Sequence, residues 1–116
     1  MTKKRTEIFF ILGLFLFYSF ASGGVQHYSD VKEKIKKGLS KQTILELLGK
    51  PLEIKIIVKS NKFIWGPEEN FWDRIPMGIR LEVWKYVFAD GRLNLYFLNE
   101  TDQLEYIAFA PKGVVY

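Results

Sequence analysis

Apolar and polar positions alternate most regularly between residues 81 and 109. Residues 81–88 and 92–98 read as two strands, and a third return follows the polar run 99–103. Asp90-Gly91 lies between the first two. An Asp-Gly pair there predicts a two-residue hairpin, because a type I′ turn needs positive φ at both central residues. With that turn Trp84 faces Phe97, Tyr86 faces Leu95 and Phe88 faces Leu93, all on one side. Val83, Lys85, Val87, Asn94, Tyr96 and Leu98 fall on the other. One face is therefore a wall of aromatics and leucines that the rest of the chain must cover.

Upstream, the apolar period changes from 2 to 3.6, and two short helices are predicted. Asp30 followed by Glu33 resembles a capping box, Val31 and Ile35 form a stripe, and Gly38 stands where a C′ glycine ends a helix. Ser40 is a good N-cap for the second helix, whose Ile44, Leu45, Leu47 and Leu48 share a face; Gly49 and Pro51 stop it. Residues 53–59 then alternate Ile54, Ile56 and Val58 against Glu53, Lys55 and Lys59, with Ile57 on the polar side. This is the pattern of a half-buried edge strand whose lysines discourage further pairing.

The segment 60–79 is too long for an ordinary hairpin loop. It carries Phe63, Trp65, Phe71 and Trp72 among Gly66, Pro67, Asp73, Pro76 and Gly78. Two readings follow. Its rings fold down over the outer sheet face beside Tyr96 and Val83, or they form an exposed aromatic surface that docks a partner. In the docking reading the partner-binding residues are Phe63, Trp65, Phe71 and Trp72, extended by Tyr96 and Tyr106. The short tail 110–116 is expected to pack or to add a strand residue or two.

Lys3-Lys4-Arg5 precedes the apolar run 8–21, and small residues follow at Ala21, Ser22, Gly23 and Gly24. These are the regions of a secretory signal, and the run is short of the roughly 20 residues a spanning helix needs. Cleavage after Ala21 is expected, with an uncleaved N-terminal anchor as the alternative. Residues 1–24 are thus a signal peptide or anchor, and 25–116 a single α+β domain of the periplasm or cell envelope.

Ile35-x-x-Gly38-Leu39-Ser40, Ile44-x-x-Leu47-Leu48-Gly49-x-Pro51, Trp84-x-Tyr86 and Leu95-x-Phe97 together resemble the SmpA/OmlA family. These are the BamE-like small lipoproteins of the bacterial outer-membrane assembly machinery. The resemblance spans about residues 31–109. It implies two helices packed on a three- to four-stranded antiparallel meander, and a non-enzymatic binding or scaffolding role. The chain departs from the family in two ways: it has glycine where the lipoproteins carry a lipid-bearing cysteine, and it has the insertion at 60–79.

The absence of cysteine removes disulfides, thiolate metal sites and thiol catalysis. His27 is the single histidine, so neither a histidine metal cluster nor a Ser-His-Asp arrangement is expected. No glycine-rich phosphate loop follows a strand, and no cofactor is implied. The net charge of +4 owes much to the leader, and the body's interspersed signs are no footprint for nucleic acid. Lys32, Lys34, Lys36 and Lys37 read as a solvated face, with contact to an acidic partner or an anionic membrane surface as the alternative. Glu68, Glu69 and Asp73 read as loop solvation.

The expectation is therefore an exported, non-enzymatic binding module whose partner is an envelope protein. The competing class is a small ligand carrier or enzyme with a pocket under the 60–79 insertion, in which Glu68, Asp73 or Arg80 would converge. Export makes the first prediction. N-terminal sequencing of protein recovered from the envelope should read from Ser22, whereas a detergent-extracted chain that still starts at Met1 identifies an anchor.

Overall fold

The computed structural model describes residues 26–114; the expected leader, 1–24, lies outside the described residues. Four antiparallel strands, β1 (Glu53–Val58), β2 (Arg80–Phe88), β3 (Gly91–Leu98) and β4 (Leu104–Pro111), form one sheet in chain order. One α-helix, α1 (Lys41–Leu48), packs on it, so the domain is α+β with an antiparallel meander. Helix α1 begins and ends where its residues dictate. Ser40 Oγ accepts the Thr43 N–H at 3.1 Å, and Gly49, at φ 77°, donates its N–H to Leu45 at 2.8 Å.

The first of the two predicted helices is not α-helical. Tyr28–Asp30 and Lys32–Lys34 form two 3-10 turns instead. A 3-10 turn eclipses residues i and i+3. It thereby stacks Tyr28 and Val31 as buried residues over the sheet, and Ile35 follows them into the core. Asp30 caps nothing; the working carboxylate is Asp90, which accepts the Tyr28 N–H at 2.8 Å and the Ser29 N–H at 3.2 Å. Desolvation raises Asp90's pKa, but those two donors, its own amide and His27 outweigh it and hold the acid below its ordinary value.

The hairpin register differs from the expected one by two residues. Trp84 pairs with Leu95, Tyr86 with Leu93 and Phe88 with Gly91, so the two-residue loop is Ala89-Asp90. A shift of two preserves sides, and the predicted aromatic face survives intact. Neither Ala89 nor Asp90 has positive φ; that geometry occurs instead at Asn99 (24°) and Glu100 (65°), where Thr101 N–H closes on Leu98 at 2.7 Å. Gly91 is needed for space. A Cβ there would collide with the Ala110 carbonyl oxygen and come within 2.6 Å of the Phe109 ring.

Each sheet face has a core. On the helix side, Ile44 and Leu48 of α1 meet Trp84, Leu95, Phe97 and Leu104, while Tyr28 packs on Phe88 and stacks at 4.4 Å on Phe109. The Tyr86 hydroxyl donates to the carbonyl of Gly49 at 2.9 Å, tying the helix end to β2. A bulge between Tyr96 and Phe97 lets Leu104 pair with Phe97 and turn inward.

Strand β1 departs from its predicted burial. It is an edge strand, but Ile54, Ile56 and Val58 are exposed, because the helix-side core draws no residue from β1. Lys59, expected on the solvent side, is buried. Of the tail, Ala110 and Pro111 complete β4, Val114 is exposed, and 115–116 lie outside the described residues.

The hairpin gives the second prediction. Gly91→Val should cost about 2 kcal/mol by overpacking against Ala110 and Phe109, while exposed Lys112→Ala stays within about 0.5 kcal/mol. Equal thermal midpoints for the two variants would refute the close approach.

Candidate functional site

The insertion is closed at its neck by Lys59. Its backbone N–H donates to Ile79 at 2.8 Å, and its carbonyl accepts from Gly78 at 3.0 Å. Its ammonium turns inward, donates to the Trp72 carbonyl at 2.5 Å and sits 4.8 Å over the Trp72 ring. The Trp72 indole N–H donates to the Lys62 carbonyl at 3.0 Å, so Trp72 is tied at two points to the start of the segment.

Within the neck, two 3-10 turns, Pro67–Asn70 and Trp72–Arg74, carry the packing residues. Gly66, at φ 109°, starts the first turn, and its N–H is taken by the Glu69 carboxylate at 3.2 Å. Phe71 lies flat on Tyr106 at 4.4 Å and edge-on to Tyr96 at 5.1 Å. With Trp72 and Ile75 it covers Leu81, Val83 and Ala108 on the outer sheet face.

Glu68 is buried beside these rings. One of its oxygens accepts both the Tyr96 hydroxyl at 3.0 Å and the Asn94 amide at 3.1 Å. Burial, reinforced by the Glu68 charge, pushes the Tyr96 hydroxyl well above the ordinary tyrosine value. It therefore stays a protonated donor.

The six partner-binding candidates thus divide. Phe71, Trp72 and Tyr96 are buried and Tyr106 is half-buried beneath Phe71, so these four form the base of the insertion. Phe63 and Trp65 stand free of it, 60% and 71% exposed, with their rings edge-to-face at 4.6 Å.

The insertion covers only part of the outer face. Register places Glu53, Lys85, Asn94 and Ala108 in one row across it, and Val87, Arg92 and Ala110 in the next. These rows floor a cavity of about 410 Å³ that Trp65, Pro67 and Glu68 wall on the insertion side. Lys85 and Arg92 have no carboxylate within ion-pair distance among the described residues. Strand alternation predicts Lys85 and Asn94 on this face. That Glu68 folds over them is a tertiary event without a local signal.

Glu68, Asp73 and Arg80 do not converge. Asp73 lines a separate hollow with Phe63 and Ile64, and Arg80 lies at the opposite end of the sheet with Asn99 and Glu100. Among the described residues no three His, Cys, Asp or Glu side chains are placed to hold a metal ion, and no helix is long and apolar enough to cross a membrane. Comparison with protein-family models, with curated proteins and with solved structures finds no match.

The neck gives the third prediction. Lys59→Met removes the ammonium from the Trp72 carbonyl and ring, leaving that carbonyl with the Ile75 N–H alone, and should cost about 1–3 kcal/mol. Hydrogen exchange at Phe71, Arg74 and Ile75 should rise before that of β2 and β3. Unchanged exchange there would show that Lys59 does not hold the insertion shut.

Proposed function

We propose that this chain is an exported, non-enzymatic docking module of the bacterial cell envelope that binds an envelope protein through Phe63 and Trp65. The observation that carries the reading is this pair of rings, solvent-facing and packed on each other, beside an aromatic base that is fully committed to the sheet. Exposed tryptophan and phenylalanine at the rim of a fixed platform are the side chains that dominate protein interfaces, and a pre-formed platform lowers the ordering cost of binding.

Three further features support the reading. The leader-like N-terminus suits an exported chain. The SmpA/OmlA resemblance suits a scaffolding role, with the insertion as this chain's own addition to the family pattern. Two carboxylates beside the rings have structural occupations: Glu69 holds the Gly66 amide, and Glu68 holds Tyr96 and Asn94. The same resemblance supports a role beside outer-membrane assembly.

The fourth prediction separates docking from packing. A photo-crosslinking residue at position 63 in intact cells should give a discrete adduct, and Trp65→Ala should remove it while the thermal midpoint stays put. A hot-spot loss of about 2 kcal/mol weakens binding roughly thirtyfold. Trp72→Ala should instead destabilise by about 3–5 kcal/mol. A folded Trp65→Ala chain that keeps its adduct overturns the docking role.

A further inference from the structure

We propose that the uncovered end of the outer sheet face is a binding site for a small zwitterion of the amino-acid or dipeptide kind. The inference rests on the cavity alone and stands whether or not Phe63 and Trp65 dock a protein.

Three observations point to that ligand class. The first is Glu68. It is a carboxylate with only 9% of its surface exposed, yet no cation lies within ion-pair distance of it among the described residues. Its two hydrogen bonds, from Tyr96 and Asn94, both fall on Oε2, and the residue itself lines the cavity. A buried carboxylate held this way is poised for a cationic donor, since an uncompensated buried charge is costly. An ammonium group supplies the donor.

The second observation is the pair of cations on the floor. Lys85 lies directly across from Asn94, and Arg92 sits two residues along β3 from Asn94 on the same face. Both line the cavity and neither is ion-paired. Arg92 presents a planar fork suited to a carboxylate, and Lys85 adds a point charge beside it.

The third is balance and size. Glu68 shares one hollow with Lys85 and Arg92, while Glu53, which also lines it, is already paired with Lys55 at 3.6 Å. A ligand of one sign would leave the opposite pole without a partner. A molecule carrying both signs would not. The volume of about 410 Å³ falls in the range of small-ligand sites. Between the charged poles the floor is Val87, Ala108 and Ala110, short apolar side chains that leave room for a ligand's apolar group against the Trp65 ring. The ligand's ammonium would meet Glu68, its carboxylate would meet Arg92 and Lys85, and its side chain would lie over the alanines.

The test uses the ¹⁵N-labelled full chain in a non-ionic detergent, titrated with leucine and with leucyl-leucine. At least one should give saturable shifts at Ala108, Ala110 and the Trp65 indole, while the helix-side amides of α1 stay still. N-acetyl-leucine, which lacks the ammonium, and leucine amide, which lacks the carboxylate, should each bind about tenfold more weakly or worse, the equivalent of one charge-assisted hydrogen bond. Arg92→Gln, at an exposed position, should weaken the parent zwitterion by a similar factor without changing the fold. Glu68→Gln should do the same; if its burial makes that variant unfold, the N-acetyl comparison on the unmutated chain still reads the Glu68 pole. No saturable shift at about 10 mM ligand, where even millimolar affinity would register, overturns the site. So does equal binding by the blocked analogues, or by Arg92→Gln.

Discussion

A sheet with large apolar side chains on both faces has to be covered twice, and this constraint organises the domain. Strands β2 and β3 turn Trp84, Tyr86, Phe88, Leu93, Leu95 and Phe97 to one side and Leu81, Val83 and Tyr96 to the other. The described chain has one α-helix to meet that demand. Helix α1 and the 3-10 turns before it cover the first face, and the insertion between β1 and β2 becomes the second layer. Burying a ring or branched side chain fully is worth about 1.5–3 kcal/mol, so Phe71, Trp72 and Ile75 together make the insertion part of the fold rather than an appendage. Lys59 is the unusual component. A buried ammonium with no carboxylate in ion-pair reach among the described residues survives because a carbonyl and an aromatic face replace its water.

What was legible in the sequence was whatever depends on neighbours along the chain. Ser40 and Gly49 bracket α1 because capping is a local matter, and alternation fixed which residues of β2 and β3 share a side. What was hidden depends on contacts between distant segments. Asp90-Gly91 carries a type I′ signal, yet Ala89-Asp90 form the loop. There Asp90 is recruited by amides 61 and 62 residues away, and Gly91 is required because β4 passes close by. Residues 30–37 have caps and a short stripe but no reason to be α-helical once Tyr28 is fixed between Phe88 and Phe109. The six aromatic candidates shared one composition and split three ways by burial, a division set by where the neck closes.

The double cover is incomplete in two places, and each has a physical cause. On the helix side, an eight-residue helix is about 12 Å long. It seals β2 to β4 and leaves Ile54, Ile56 and Val58 of β1 in solvent. Lys59 donates to Ile79, which sets the alternation of β1 and points the backbone groups of those same three residues to the open edge. Lys55 and the neck of the insertion are the features on that edge that oppose sheet extension. On the outer face, the insertion covers Val83, Tyr96 and Ala108 and reaches Asn94 through Glu68, but it leaves Lys85 half-buried and Val87 and Arg92 exposed.

The second gap shows how packing and binding come from one arrangement. Trp65 precedes, and Glu68 lies within, the turn that Gly66 and Glu69 hold. Because Phe71 and Trp72 are fixed just beyond that turn, the carboxylate and the ring are positioned without help from a ligand. Across from them Lys85, Asn94 and Arg92 project from paired strands, whose register allows each side chain one side of the sheet. A site held between a braced turn and a paired sheet loses little conformational freedom when it is filled. The same bracing keeps Trp65 at the rim, where it lines the cavity and packs edge-to-face with Phe63. The insertion is thus also the part that joins the second core to the exposed chemistry of the domain.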